Sequence, residues 1–451
     1  MLLFWISAAA HAFCGNYVGE AGADLVNTAS EVAIVRQGGR TTITMSNDVV
    51  TDVNDFAMIV PVPVVLGEED VKVVDPDIFD ALDGYSGPRL VTYTCEELYP
   101  ETFSGGGGFG CQEFELAVQE DNSAGFDGGG WDVQIEEQFI VGEYEVTILS
   151  AEESSSLLSW LNDNGYAVAD DARGLIQEYL DAGSYFFAAK VFLDRLPEDQ
   201  DVLSPLRFSY TSDVFALPIR LGTLNSAGSQ DLVAYVLTDV DAGRVGISNY
   251  PEAVVEDECL FEGQPEDFGV FYEDRFSEAV DTDEASWVLE YGWRVEPWVA
   301  ACDPCPPTEI AEPMDVSELE TLGFETGAAS LDSGAWFDGP SYYFSRLRMR
   351  YTPEQATEDL VLYTSRMTDN TQHRYIQYKD YLEFEFPICG KGYVTDDPGS
   401  CIDVDRKYRD RMREAGHEDL RGCTTGGPSP WAPMALLAGA LLIGLRRREA
   451  R

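Results

Sequence analysis

Lysine is almost missing from this chain. Of 451 residues, only Lys72, Lys190, Lys379, Lys391 and Lys407 are lysine. Histidine is scarcer still: His11, His373 and His417. Each shortage excludes something. A Ser-His-Asp triad or a histidine zinc site needs well-placed imidazoles, and His11 lies in an N-terminal leader. His373 falls in a strand-like stretch and His417 in a charged tail. Positive charge is too thin for nucleic acid, since 29 Lys+Arg stand against 81 Asp+Glu, net -52. Such a surface repels phosphates. No G-x-S-x-G, H-E-x-x-H, S-x-x-K or Walker loop occurs. The glycine run Gly105–Gly108 has no Lys-Ser/Thr after it, so it cradles no phosphate. A regular alternation of strands and helices is also missing, which excludes a doubly wound parallel sheet.

What the chain does have is acid, cysteine and β-forming sequence. An acidic, lysine-poor surface suits saline surroundings, where the Debye length falls to about 3 Å at 1 M salt and self-repulsion is screened. A calcium-loaded surface is the rival reading. The start, "MLLFWISAAAHAFCGNY", reads as a signal peptide over residues 1–12, with an A-x-A site at Ala10–Ala12. The nine cysteines agree with export. Local spacing favours Cys95–Cys111 and Cys389–Cys401 as disulfides. Cys14, Cys259, Cys302 and Cys305 leave three pairings open. Cys423 is then the odd one. Cys302 and Cys305 have C-x-x-C spacing, but Pro304, Pro306 and Pro307 make this a rigid loop rather than a redox helix start.

The body reads as α+β, mainly antiparallel sheet with a few short helices, disulfide-stabilised, plus one C-terminal transmembrane helix. "EVAIVRQGGRTTITMSND" and "WDVQIEEQFIVGEYEVTILSA" are hairpins turning at Gly38-Gly39 and Gly142. "DFAMIVPVPVVL" is a buried strand that Pro61 and Pro63 push to an edge or bulge. Helices are predicted in "DPDIFDALDG" with Asp75 as cap, in "SSSLLSWLNDNG" with a Ser cap, in "DARGLIQEYLDAG", and in "DVSELETLG" with Asp315 and Glu318 at capping-box spacing. One α+β unit spans 13–245 and a β-rich unit spans 246–410, connected through the acidic "EAVVEDECLFEGQPEDFG". A charged, then Gly/Pro linker spans 411–430, a membrane helix 431–445 and a basic cytoplasmic tail 446–451.

Acid clusters at Asp239 and Asp241, and at Asp396 and Asp397, are calcium candidates. Neither matches the twelve-residue calcium loop, and a chain this acidic forms such clusters by chance. No other cofactor is expected. Paired carboxylates for sugar hydrolysis are uninformative among 81 acids. The aromatic run "WFDGPSYYF" reads as buried strand packing rather than a sugar platform.

The stretches "FCGNYV", "MSNDVVTDVNDFAMIVPVPVVL", "SGPRLVTY", "AAKVFLDRL", "LSPLRFSY", "LPIRLGTLNSAGSQDLVAY", "CDPC" and "LRMRYTPEQATEDLVLY" resemble the domain of unknown function 2330 family over about residues 13–385. The resemblance implies an exported bacterial protein and no particular chemistry, so no catalytic residue is carried over. The tail resembles a Myxo-CTERM sorting signal, with Cys423, a small-residue spacer, an apolar run, and Arg446, Arg447 and Arg448. That resemblance implies transient membrane insertion and recognition by a sorting protease near Cys423. The span 431–445 would be about 22 Å long as a helix, short of a bilayer core of about 30 Å. The arginines would hold its C-terminal end in the cytoplasm, with the body outside. The expectation is an exported envelope or surface protein with a non-catalytic binding or scaffold role and an unknown ligand. A carboxylate hydrolase of sugars or peptides and a calcium-dependent adhesion module are the alternatives.

Overall fold

The computed structural model describes residues 16–19, 29–46, 56–93, 133–166, 168, 172–196, 202–226, 228–255, 260–261, 265, 267–296, 314–326, 340–367 and 369–378. Contacts divide the chain into two compact units. One comprises 1–89, 108–256 and 267–374; the other 90–107, 257–266 and 375–451. The strands Arg89–Tyr93, Leu260–Phe261 and Arg374–Tyr378 form a three-stranded sheet carrying the second unit's described strand residues.

The first unit is built on two large sheets. The eight-stranded one runs Thr371–Gln372, Ser286–Val295, Tyr342–Tyr351, Gln230–Asp239, Ala29–Gln37, Arg40–Met45, Leu206–Thr211, Val71–Val73. It draws on residues from both sides of position 245. Its pairings are antiparallel except for Gln230–Asp239 beside Ala29–Gln37. The five-stranded sheet runs Asn16–Gly19, Phe56–Val62, Tyr185–Val191, Tyr144–Ala151, Val133–Val141, all antiparallel. A small third sheet joins Ala216–Leu217, Leu360–Thr364 and Val245–Ile247.

Alternation sorts the side chains into layers. Val32, Ile34 and Ile43 of the larger sheet meet Met58, Val60, Val146 and Phe187 of the smaller, so the main core lies between the sheets. Each sheet also buries part of its outer face under helices. Helices α1 (Asp77–Ser86), α2 (Ser154–Asp163), α3 (Ala172–Asp181), α4 (Phe268–Val280) and α5 (Val316–Thr321) supply this cover. Leu157, Leu158 and Leu161 of α2 and Ile176 of α3 pack with Ala57, Leu149 and Phe186 of the smaller sheet. On the larger sheet, Phe79 and Leu82 of α1 and Leu319 of α5 pack with Tyr235, Tyr342 and Phe344.

Local expectations hold in detail, with three corrections. Gly38 and Gly142 turn their hairpins at φ 56° and 54°, a region open to glycine at little cost. The Asp315–Glu318 capping box forms, both bonds present. In α2, however, no serine caps the helix. Ser154 is already helical, and its backbone N–H donates to Gln177 Oε1 of α3 at 2.8 Å. In α1, Pro76 takes the cap position and Asp75 instead accepts the Asp77 N–H at 3.0 Å. Phe56–Val62 is neither an edge nor bulged: it pairs on both sides. Among the described residues, its neighbour Asn16–Gly19 pairs with it from Phe56 to Ile59.

Candidate functional site

Two places gather polar side chains against the sheets of the first unit. The first is a charged ladder on the outer face of the larger sheet. Along Tyr342–Tyr351, the even residues Tyr342 and Phe344 are apolar and the next three, Arg346, Arg348 and Arg350, are cationic. Period two places all five on one face. On the neighbouring strand the alternation breaks. Trp287 and Leu289 face the inter-sheet core, whereas Tyr291, Trp293 and Val295 face outward. The switch is a bulge at Glu290, where the register jumps from Leu289↔Leu347 to Tyr291↔Arg346. A bulge re-aims the extra residue, and here it delivers a fully buried carboxylate to Arg346.

The contacts are dense. Arg346 donates through Nε to Glu290 Oε2 at 2.7 Å and through Nη1 to Asp83 Oδ1 at 2.6 Å. Its guanidinium lies 5.2 Å from the Tyr235 ring centre. Tyr272 of α4 donates its hydroxyl to Glu290 Oε1 at 2.8 Å. Arg348 donates to Asp231 Oδ2 at 2.8 Å and Glu273 Oε2 at 2.6 Å, with its guanidinium 3.9 Å from the Phe276 ring centre. Arg350 forks onto Asp231 and also reaches Glu273 Oε1 and Ser277 Oγ at 2.6 and 2.8 Å. Arg348 Nε is a buried ladder donor without an acceptor among the described residues.

The electrostatics follow from this geometry. Burial alone would raise the Asp231 and Glu273 carboxyls; the arginine charges and hydrogen bonds outweigh it and hold both below their ordinary values. Burial likewise opposes the charge on Arg346, but Tyr235, Glu290 and Asp83 raise its pKa well above the usual one. The ladder is therefore internally mated.

The second place is a groove on the outer face of the smaller sheet, beside α2. Its floor is small: Ala57, Ala188 and Thr147. Trp160 and Asn164 from the end of α2, with Tyr166 just beyond, stand above it. Gln138, Glu145, Lys190 and Ile135 complete the lining of a groove open to solvent. A register shift between Ile135 and Glu137 distorts the strand at this rim. Lys190 and Glu145 are direct cross-strand partners, yet no ion pair joins them. Glu145 Oε1 instead accepts from Gln138 Nε2 at 3.0 Å. Among the described residues, the Lys190 ammonium has an aromatic neighbour, Phe192, at 5.2 Å, and no carboxylate partner.

Few of the residues singled out from sequence meet here. Asp239 accepts from Gln37 at 3.2 Å and ends a strand, and Asp241 lies exposed in the following turn. Among the described residues no group of three or more His, Cys, Asp or Glu side chains is set to hold a metal. Asp396, Asp397, all nine cysteines and Arg446–Arg448 lie outside the described residues. His373 falls between strands rather than inside one, its ring 6.2 Å from that of Tyr272. Sequence reading missed the ladder, although three arginines at spacing two were its visible sign. It also missed α4, whose Asp267 cap and Tyr272, Phe276, Val280 spacing were legible.

A family model described as "Uncharacterized protein conserved in bacteria", DUF2330, matches residues 8–363. The chain belongs to this family. The ladder, α4 and the groove all lie inside the matched span. No curated protein and no solved structure matches the chain.

Proposed function

We propose that this DUF2330 protein is exported and displayed at the cell envelope or surface, where its body binds a ligand rather than performing catalysis. The closed charged ladder carries the choice between binding and hydrolysis. A carboxylate hydrolase needs one acid kept protonated near neutral pH and a second carboxylate free to act. Asp231 and Glu273 share the same two arginines, and both are pushed down, so neither keeps a proton to donate. The groove, by contrast, presents an aromatic wall, a cation and open acceptors, the composition of a binding site. The calcium-adhesion alternative has weaker support: Asp239 and Asp241 are two carboxylates where calcium takes six to eight oxygens.

Export is supported by the leader before Ala12, the cysteine content, and the Cys423-led tail with its apolar run and Arg446–Arg448. In this reading the eight body cysteines form disulfides and the tail anchors the chain transiently before a sorting protease cuts near Cys423. The test is mass spectrometry of the mature protein from native cells, with surface labelling of intact cells. Expected are a start at Phe13, an end near Cys423 and labelling from outside. A chain intact from Met1 to Arg451 in the cytoplasmic fraction overturns the proposal.

A further inference from the structure

The groove beside α2 has an accounting that narrows its ligand, given the binding role proposed above. Each of its two amides has committed one of its two N–H donors. Gln138 Nε2 donates to Glu145 Oε1 at 3.0 Å, and Asn164 Nδ2 donates to the Trp160 carbonyl at 2.8 Å. Gln138 Oε1, Asn164 Oδ1 and Glu145 Oε2 remain as acceptors among the lining side chains. The one cation is Lys190. In a chain of net charge -52, a half-buried ammonium directly across from a glutamate, with no carboxylate engaging it among the described residues, is a charge held for something else.

A ligand for this site needs one anionic group for Lys190 and positive or donor-rich hydrogen for Glu145 and the amide oxygens. Cross-strand Cβ atoms lie about 4.5–5.5 Å apart, so the two complementary ligand groups must also be close together. An α-amino acid carries its ammonium and carboxylate on one carbon, about 2.5 Å apart from N to C given bonds near 1.5 Å. It is also neutral overall, so the acidic body does not repel it as it would a simple anion. Trp160, Ile135, Ala57 and Ala188 leave the remainder of the site apolar.

We propose that this groove binds a free α-amino acid with an apolar side chain, its carboxylate on Lys190, its ammonium on Glu145 and Gln138, and its side chain against Trp160. The inference rests on the binding reading, and its test separates the two. The full-length protein is titrated calorimetrically with L-leucine, leucinamide, N-acetyl-L-leucine and D-glucuronate. L-leucine should bind. Leucinamide, lacking the carboxylate, and N-acetyl-L-leucine, lacking the ammonium, should each bind at least about tenfold more weakly, the loss of one charged hydrogen bond. Lys190→Gln should weaken L-leucine by the same factor and leave leucinamide unchanged, with circular dichroism matching the parent. Glu145→Gln should do likewise for the N-acetyl compound. Equal binding of L-leucine to parent and Lys190→Gln, or no L-leucine binding up to about 10 mM, overturns the inference. Glucuronate binding that depends on Lys190 also overturns the amino-acid assignment, while leaving the binding role standing.

Discussion

The two sheets each carry helices on their outer faces, but they treat charge in opposite ways. On the larger sheet, α4 closes over Arg346, Arg348 and Arg350, and each guanidinium is answered by carboxylates. On the smaller sheet, α2 stops beside Ala57 and Ala188 and leaves Lys190 without a carboxylate partner among the described residues. The difference is geometric. A bulge aims Glu290 at its arginine, whereas Gln138 diverts Glu145 from its lysine. Charge that is mated holds a fold in register; charge that is left over is the ground for the binding site proposed above.

That contrast is open to attack in order of expected effect. Glu290→Ala should be the most damaging change, because it removes the buried carboxylate to which Arg346 Nε and the Tyr272 hydroxyl donate. The expected loss is about 3–5 kcal/mol in urea unfolding. Combining it with Arg346→Met should recover part of that loss; no recovery would mean that Glu290 acts through packing alone. Asp231→Asn comes next, at about 2 kcal/mol, since two arginines lose their charged acceptor. Its pH signature has a definite sign. The folded pKa values of Asp231 and Glu273 lie below their unfolded ones. They therefore contribute stability above the ordinary carboxylate pKa of about 4, and it is lost as pH falls through the depressed values. Acid titration of Asp231→Asn should show a shallower loss than the parent; identical curves would remove Asp231 from the account. A smaller effect is expected at the exposed pair Arg220–Glu178, 2.6 Å apart with the glutamate 61% exposed. Glu178→Gln should cost under about 1 kcal/mol, and less in high salt. Smallest is Lys190→Gln, whose stability should stay within about 0.5 kcal/mol of the parent. A large loss there would turn the groove into a structural feature and erase the contrast.

Much of the fold was legible because local chemistry carries it. The hairpins at Gly38 and Gly142, the ends of α2 and α3 at Gly165 and Gly183, and the box at Asp315 all follow from a few adjacent residues. The polar sites were not legible for a corresponding reason. Nothing near Glu290 announces that it will meet Arg346, 56 positions away, or that a bulge will reverse the facing of its strand. The serine cap expected on α2 failed the same way, because its donor is met by Gln177 from the next helix. Asp239 and Asp241 drew notice as neighbours in sequence, yet a turn sets them apart from any third carboxylate.

The parallel seam between Ala29–Gln37 and Gln230–Asp239 has a consequence in time. The N-terminal hairpin leaves the ribosome early, but the strand that seals its open side comes about 200 residues later, and Tyr342–Tyr351 later again. At about 5–20 residues per second, the hairpin waits tens of seconds with an unpaired apolar edge. Non-local pairing of this kind also folds slowly once complete. A chain built this way cannot complete its main sheet until most of it exists.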